Sequence, residues 1–316
     1  NSYGQLSRIT DANNGVNEFS YDSSGSLIKT ASPSGKETKY GYDTLGRLTQ
    51  LTDPKSQSFS YTYDGVDHLT NAVYPDSAIV TYRYNCCNLT KITDKNGELR
   101  FTYDGLGRLA RFISYDDEEI TYAYDSEGNI ISLTYPGDKT VTYGYDRDNR
   151  LSSVTDWLGN VTKYNYDSLG NLSFSVSPGL ITIYKYDTAN RMIKLINYNR
   201  NTSDITSAYE FTLNELGNRA NIKRFLPFDL PNFPLASSVY SYNSDNQLVS
   251  STGASYAYDD NGNLSRLDEN SGVSLFSYDY DNQLSGYSSG AGDFTYQYDA
   301  LGNRIRKVQD GAVCGY

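Results

Sequence analysis

Some version of the motif Tyr-x-Tyr-Asp-x-x-Gly-(Arg/Asn)-Leu recurs fourteen times along the 316 residues of this chain. Clear copies are YGYDTLGRL at residues 40–48 and YNYDSLGNL at residues 164–172, and the commonest spacing between neighbouring copies is 21 residues. A fixed period of this length indicates one small structural unit stacked on copies of itself. The chain is therefore predicted to be a repeat array rather than a globule built around a single pocket.

Each copy of the motif predicts a β-hairpin. In Tyr-x-Tyr both rings lie on one side of an extended strand, because side chains alternate across a sheet. The Asp can accept a hydrogen bond from the backbone N–H two residues later, and the Gly tolerates positive φ, so the pattern favours a type I turn closed by a Gly bulge. Apolar pairs at i, i+3 follow, such as Leu48 with Leu51. This spacing breaks strict alternation and predicts a second strand that bulges or bends.

A second turn signal ends each hairpin, for example DPK at residues 53–55 and PGD at residues 136–138. Fourteen hairpins amount to about 28 antiparallel strands, more than an open sheet usually holds flat. We therefore predict an all-β, antiparallel β-hairpin repeat array that curls into a hollow spiral shell, tube or solenoid. Because the period is nearly unbroken, a single array is expected over residues 1–316.

The turn and strand positions of the motif are the candidate site residues, and their predicted role is structural. The predicted repeat turns are Asp43, Gly46, Asp104, Gly107, Asp125, Gly128, Asp167, Gly170, Asp299 and Gly302. The predicted repeat tyrosines are Tyr40, Tyr42, Tyr122, Tyr124, Tyr143, Tyr145, Tyr164 and Tyr166.

Charge and hydropathy exclude two classes of partner. The net charge of −11 argues against binding to nucleic acid or to an anionic membrane surface, because both require clustered Lys and Arg. No apolar stretch is long enough to span a bilayer, so membrane insertion is not expected. The first residue, Asn1, is typical of a processed chain or an excised fragment.

The chain offers little that resembles a catalytic or cofactor site. Its one histidine, His68, stands at a turn position where other copies carry Arg or Asn, and no nucleophile elbow accompanies it. Paired carboxylates can catalyse glycoside hydrolysis, but Asn replaces the motif Asp at Asn85, Asn214 and Asn243. Phosphate loops, zinc spacings and calcium loops are absent. We predict no enzymatic activity, no cofactor and no metal site.

Cysteines and one acidic run leave alternatives open. Cys86 and Cys87 are adjacent in a shortened turn, where two free thiols are favoured over a strained vicinal disulfide or a metal site. Cys314 is either an exposed thiol or part of a sequence cut short. The acidic run at residues 116–119 is interpreted as a solvated turn, with a cation site as the alternative.

The period stretches to 27 and then 29 residues between Tyr186 and Tyr242, and residues 220–239 in the second gap are predicted to form an irregular Pro/Phe-rich insertion. Three prolines within eight residues cannot belong to a central strand, because each removes a ladder donor. Several large apolar side chains in the same stretch favour a loop that packs on the array, lies in its lumen or docks on a partner. The candidate partner-loop residues are Phe225, Phe228 and Phe233.

With these repeated Tyr-Asp turns, the chain resembles YD-repeat proteins of the Rhs type over residues 1–310. Relatives of that type include Rhs and wall-associated bacterial toxins, shell components of insecticidal toxin complexes, and teneurins. The resemblance implies a long β-strip that spirals into a hollow shell, which in the toxins encloses a cytotoxic domain. It also implies an extracellular or cell-surface location. The self-cleaving core segment of those shells, with its Asp-Pro-x-x-Gly-Arg-Phe signature, has no counterpart at residues 311–316, so no cleavage residue carries over.

The leading hypothesis is a non-enzymatic, secreted or cell-surface scaffold: a shell segment that encloses or displays a partner. One alternative is a carbohydrate-binding or adhesion module in which exposed tyrosines stack on the sugars of a glycan. Another is a self-assembling extracellular filament, because unpaired strand edges can pair with a further copy. The expected partners are other copies of the chain joined end to end, or the remainder of a larger shell.

Overall fold

The computed structural model of the chain describes residues 4–214, 217–226 and 239–314. Within these ranges the regular structure consists of 30 β-strands and no helix. Accordingly, this part of the chain contains no helix that is long and apolar enough to cross a membrane. The all-β class predicted from the motif is confirmed.

The strands form two antiparallel sheets, and the first has 21 strands. Its strands are β1 (Arg8–Thr10), β2 (Val16–Tyr21), β3 (Leu27–Ala31), β4 (Glu37–Tyr42), β5 (Leu48–Thr52), β6 (Ser58–Tyr63), β7 (Leu69–Val73), β8 (Ile79–Tyr84), β9 (Leu89–Asp94), β10 (Gly97–Tyr103), β11 (Leu109–Ile113), β12 (Glu119–Tyr124), β13 (Ile130–Tyr135), β14 (Lys139–Tyr145), β15 (Leu151–Thr155), β16 (Val161–Tyr166), β17 (Leu172–Val176), β18 (Leu180–Tyr186), β19 (Met192–Asn199), β20 (Ile205–Leu213) and β21 (Arg219–Phe225).

The second sheet has nine strands. They are β22 (Ser241–Tyr242), β23 (Leu248–Ser251), β24 (Ala254–Tyr258), β25 (Leu264–Glu269), β26 (Gly272–Tyr278), β27 (Leu284–Ser289), β28 (Gly292–Tyr298), β29 (Arg304–Gln309) and β30 (Ala312–Cys314).

Within each sheet, pairing follows the chain in antiparallel fashion, and the same bulge recurs in motif hairpins along both sheets, such as β2–β3, β12–β13 and β28–β29. Between β4 and β5, Tyr42 lies opposite Leu48 whereas Gly41 lies opposite Gln50, which leaves Thr49 as the extra residue. The bulge shifts the alternation of β5 by one residue. Leu48, opposite Tyr42, and Leu51, opposite Tyr40, therefore lie on the same face of the sheet. This bulge is the physical origin of the i, i+3 apolar spacing.

Two kinds of turn alternate along both sheets. YD turns connect the two strands of a motif hairpin and begin at the motif Asp or Asn, as at residues 43–47. Inter-repeat turns connect one hairpin to the next, as at residues 53–57. In these two examples the turns close with the same backbone pattern, since the first residue donates its N–H to the carbonyl of the fifth, at 3.0 Å in both.

The described residues divide into two compact units. The first unit comprises residues 1–100 and 235–316, and its buried apolar side chains are Phe59, Ala72, Val80, Ile92 and Leu99. The second unit comprises residues 101–234 and buries Val141 and Phe211. In the first unit Phe59 pairs with Leu51, and Ile92 pairs with both Tyr82 and Leu99. The core is thus the motif-tyrosine face of the sheet.

The stretch predicted as an irregular insertion, residues 220–239, begins inside a regular strand. Strand β21 (Arg219–Phe225) pairs with β20, and Phe225 lies opposite Ala208. Residues 220–225 therefore belong to the sheet, because the apolar and basic residues that precede the prolines can still complete a ladder. Phe228 and Phe233 lie outside the described residues.

Candidate functional site

The YD turn is built by one carboxylate and one residue with positive φ. In residues 43–47 the Asp43 Oδ1 atom accepts hydrogen bonds from Leu45 N at 2.9 Å and from Arg47 N at 3.0 Å. Gly46 donates its N–H to the Asp43 carbonyl over 3.0 Å and has φ of 81°. An L side chain at that φ is strained, whereas glycine is not.

The other predicted turn residues adopt the same arrangement. Asp104, Asp125, Asp167 and Asp299 each accept a hydrogen bond on Oδ1 from the N–H four residues later, and the glycines three residues on have φ between 78° and 95°. Several turns carry no glycine at that position. There, residues that tolerate the left-handed region take its place, namely Asp67, Asn149, Asn190, Asn246 and Asn282.

Hydrogen bonds from the turn lower the pKa of the carboxylates of Asp43, Asp104 and Asp125. The backbone N–H of Arg47, and then its side chain, lower the pKa of Asp43. The backbone N–H of Arg108 has the same effect on the pKa of Asp104, and the Asn129 side chain lowers the pKa of Asp125. Each carboxylate is therefore a turn acceptor and not a proton donor at neutral pH.

Where the motif carries Arg, this side chain can link one repeat to the next. Arg47 donates from Nε to Asp43 Oδ2 over 2.7 Å and from Nη1 to the carbonyl of Asp64 in the following YD turn over 2.9 Å. Its guanidinium also lies 4.9 Å from the ring centroid of Tyr63. These contacts combine a charge-assisted hydrogen bond with a cation–π contact.

His68 occupies the position of this arginine in the next repeat. Its Nδ1 lies 3.0 Å from Asp64 Oδ2, and its ring stacks on Tyr84 with 4.3 Å between centroids. The one histidine of the chain is thus a turn residue that repeats the arginine contacts.

In nine copies of the motif, the second tyrosine makes a bond that sequence reasoning did not anticipate. Its phenol donates to the main-chain carbonyl of the apolar residue next to the bulge in the preceding repeat. The observed pairs, at 2.8 to 3.0 Å, are Tyr21 to Leu6, Tyr42 to Leu27, Tyr63 to Leu48, Tyr124 to Leu109, Tyr145 to Ile130, Tyr166 to Leu151, Tyr186 to Leu172, Tyr258 to Leu248 and Tyr298 to Leu284. The sequence signal that could have predicted this bond is the preference for Tyr over Phe at the second tyrosine position of the motif.

The first tyrosine of each motif lies on the same face and packs across the hairpin. Tyr40 lies opposite Leu51, Tyr122 opposite Leu133 and Tyr143 opposite Val154. In the copy at residues 164–172, Tyr164 lies opposite Ser175. Aromatic and branched cross-strand pairs of this kind stabilise a hairpin, so the first tyrosine serves the packing of its own repeat.

In the first unit, inter-repeat turns of residues 11–97 contact YD turns of residues 243–303. Ser34 donates its N–H to Asp245 Oδ1 over 2.9 Å, and Lys36 Nζ donates to the Asp259 carbonyl over 3.0 Å. The inter-repeat turn at residues 32–36 therefore lies in the notch between two neighbouring YD turns. The partners of this row of contacts are separated by 202 to 235 residues in the sequence. We call this row the turn seam.

Charge pairs and amides continue the turn seam. Lys55 Nζ lies 2.7 Å from Asp259 Oδ2, and Asn261 Nδ2 donates to Asp53 Oδ2 over 2.8 Å. Burial by itself would raise the pKa of Asp259, but the hydrogen bonds from Lys55 and from its own turn outweigh it, and the pKa is lowered. The seam is thus polar and ionised, and it joins two parts of the array far apart in sequence.

The turn seam also contains a cleft of about 100 Å³. There the Tyr74 phenol donates to both carboxylate oxygens of Asp281, at 3.1 and 3.2 Å, and the Tyr74 and Tyr280 rings lie 6.4 Å apart. Burial raises the pKa of Tyr74 and of Asp281. Since a phenol with a raised pKa stays protonated at neutral pH, Tyr74 acts as a hydrogen-bond donor that holds the seam.

The structure places the remaining sequence candidates apart from the turn seam. Cys86 and Cys87 are both free and exposed in the shortened turn, and Phe225 is 52% exposed at the end of β21. Within the described residues, no group of three or more His, Cys, Asp or Glu side chains is arranged to hold a metal ion.

Comparison with known families finds two matches in the sequence. Residues 1–150 match the family described as the Teneurin YD-shell, and residues 145–178 match the RHS repeat. No curated protein matches the sequence.

Solved structures with a similar fold come from Tc toxins. The crystal structure of TcdB2-TccC3-TEV superposes with a TM-score of 0.63 at 13% identity, over 96% of this chain and 22% of that chain. TcdB2-TccC3 gives 0.61 at 14% identity, over 98% and 23%. A variant Tc holotoxin pore from Photorhabdus luminescens gives 0.59 at 14% identity, over 96% and 22%. The chain thus spans less than a quarter of those proteins. The family matches thus identify YD-repeat sequence of the Rhs type over residues 1–178, and the likeness to the Tc structures is one of fold.

Proposed function

We propose that the chain is a non-enzymatic scaffold, a segment of a YD-repeat shell that encloses or displays a partner. The observation that carries the proposal is that the motif side chains bind their own turn and the neighbouring repeats. Asp43 holds its turn, Arg47 bridges to the next turn, and the Tyr63 phenol binds back to the preceding repeat. Residues that recur along the array and are engaged with neighbouring repeats build a surface and leave little for catalysis.

Similarity to known shells supports both the scaffold function and the assembly of this chain into a larger complex. The matching Tc structures are complexes, and this chain corresponds to about a fifth of the chain it superposes on. We infer that the chain works next to further YD-repeat sheet, supplied by copies of itself or by a larger shell. The match of residues 1–150 to the Teneurin YD-shell supports a secreted or cell-surface location.

The contacts of the tyrosines favour the scaffold over the carbohydrate-binding alternative. A ring that stacks on sugar must offer a free face. The Tyr63, Tyr124 and Tyr166 rings each have an arginine guanidinium over them, and their phenols are hydrogen-bonded. The rings and phenols of these tyrosines are therefore already engaged in contacts within the array.

The test is the composition of the native assembly. The protein should be purified from its source under native conditions, cross-linked and analysed by mass spectrometry. We expect a defined partner polypeptide, or a longer YD-repeat chain, in fixed ratio to this chain. A lone chain with an enzymatic turnover that Asp167→Asn abolishes, while the fold is retained, would contradict the proposal.

A further inference from the structure

Cys86 and Cys87 lie at the tip of a YD turn that is one residue shorter than the turn at residues 43–47. Asn85 donates its N–H to the carbonyl of the fourth residue, Asn88, over 3.0 Å, whereas the turn at residues 43–47 closes on its fifth residue. Both cysteines are exposed, and their thiols are free. Unlike the motif Asp, Arg and Tyr side chains, which bind within the array, this pair is accessible to reagents in solution.

The turn brings the two cysteine side chains together. In an extended strand, neighbouring side chains point to opposite faces, so adjacent cysteines do not meet. Here the side chains of Cys86 and Cys87 are hydrogen-bonded to each other, and this bond raises the pKa of the Cys87 thiol. Since the thiolate is the nucleophile of cysteine chemistry, Cys86 is the residue expected to react first.

The peptide group between the two cysteines is held loosely. Cys87 N donates to Asn85 Oδ1 over 3.4 Å, whereas the equivalent bond from Leu45 N to the Oδ1 atom of the motif Asp is 2.9 Å long. A bond of the greater length is weak. The other bonds of the turn, from Asn85 N and from Asn88 N, do not involve this peptide group. It can therefore reorient while the turn stays closed.

We propose that Cys86 and Cys87 form a redox site at which a low-molecular-weight disulfide oxidises the two thiols to a disulfide between neighbouring residues. Adjacent Cα atoms are about 3.8 Å apart, less than a disulfide usually spans, so the bond stores strain and is easily reduced. Strained and exposed disulfides are the labile ones. The site is therefore a reversible one and not a structural cross-link. It adds to the scaffold function and does not depend on it.

The oxidation proceeds by thiol–disulfide exchange in two steps. The Cys86 thiolate attacks one sulfur of the small disulfide, which forms a mixed disulfide and releases one small thiolate. Cys87 then loses its proton to solvent, and its sulfur attacks the Cys86 sulfur. The bond between Cys86 and the small thiol breaks, and a second small thiolate leaves. The pair loses two electrons, and the small disulfide is reduced to two thiols.

A redox titration of the purified full chain tests the proposal, with Cys314→Ser removing the third cysteine of the sequence. The protein is equilibrated with oxidised and reduced glutathione at increasing ratios, quenched with N-ethylmaleimide and weighed intact by mass spectrometry. The form with two maleimide adducts should give way to a form with none, which is two hydrogens lighter than the reduced chain. Dithiothreitol should restore the reduced form completely.

Variants separate the roles of the two thiols. In the same background, Cys87→Ser keeps the attacking thiol and lacks the second one, so it should accumulate a glutathione adduct as its end product. Cys86→Ser/Cys87→Ser is the control and should not react. Limiting iodoacetamide should label Cys86 several-fold more than Cys87, as read from fragmentation of the peptide that contains both. If Cys87→Ser fails to fold, as judged by circular dichroism, Cys87→Ala takes its place.

Three outcomes would overturn the proposal. They are a pair that stays reduced at every ratio, a pair that ends as a stable glutathione adduct like Cys87→Ser, and preferential labelling of Cys87. None of them bears on the partner sought by cross-linking of the native assembly, so the scaffold function stands or falls separately.

Discussion

The phenol of Tyr63 donates a 2.9 Å hydrogen bond to the main-chain carbonyl of Leu48, fifteen residues earlier. Leu48 begins the second strand of the preceding hairpin, next to its bulge. A bulge disrupts the regular ladder, and a buried carbonyl without a partner costs free energy. Tyrosine, unlike phenylalanine, can reach that carbonyl while its ring packs on the apolar face. One residue type therefore serves the core and the junction between repeats.

Replacement of Tyr63 by Phe removes this bond and keeps the ring. We expect a loss of about 1 kcal/mol in the free energy of unfolding, the usual net value of one such bond. Urea denaturation followed by circular dichroism measures it. Tyr61→Phe is the matched control on the same strand, since its phenol has no hydrogen-bond partner among the described residues. Equal losses in both variants would contradict the assigned role.

Replacement of Gly46 by Ala isolates the cost of positive φ. A Cβ at Gly46 would meet nothing within 4 Å, but φ is 81°, so the expected loss of about 1 to 2 kcal/mol comes from backbone strain alone. Gly65 has equally open space and is not among the residues with positive φ, so Gly65→Ala is the control. Hydrogen exchange of residues 40–52 should accelerate in the Gly46 variant only. Similar exchange in the two variants would count against the turn geometry.

The carboxylate of Asp43 should be replaceable by an amide but not by a methyl group. Asn retains the oxygen that accepts from Leu45 N and Arg47 N, whereas Ala leaves both donors without it. The expected order of melting temperature is wild type, then Asp43→Asn, then Asp43→Ala, with the larger step between the last two. A larger step between wild type and Asn would show that the charge, through Arg47, matters more than the turn.

Acid should destabilise the array below about pH 4. The pKa values of Asp43, Asp104 and Asp167 are lowered in the fold, each chiefly by a backbone hydrogen bond. A carboxyl with a lowered folded pKa contributes stability above its unfolded value of about 3.9, and that contribution is lost as the pH falls through the folded pKa. Melting temperatures at pH 7, 5, 4 and 3 should be level down to pH 5 and fall steeply below pH 4. A steep fall above pH 5 would point to other groups.

Asp281 should behave in the opposite way. Burial raises its pKa, so ionising it in the folded state costs free energy at any pH above the unfolded value. Asp281→Asn keeps an oxygen that can accept from Tyr74 and removes that cost. The variant should melt at or above the wild-type temperature at pH 7, and the two should converge at pH 3. A variant less stable at pH 7 would mean that the charge is needed at the turn seam.

The sequence by itself determined the local structure of this protein. Tyrosine alternation, the Asp acceptor and the Gly with positive φ act over a span of five to ten residues. They were therefore sufficient to predict the hairpin, its turn and the bulge behind the pair Leu48 and Leu51. Family resemblance extended this to an all-β array of the Rhs type, which the fold and the matches confirm.

Tertiary structure decided the contacts that no local pattern encodes. The bond from Arg47 to the Asp64 carbonyl depends on how one hairpin lies beside the next, and the ion pair of Lys55 with Asp259 joins two turns that are far apart in the sequence. Twist per strand is small and varies with packing, so the residue that a given turn will meet some 200 positions later cannot be read from the motif. The tertiary structure also decides which turn residues are covered. Asp281, the third residue of its YD turn, contacts Tyr74 in the turn seam, whereas Leu45, at the same position of another YD turn, is exposed.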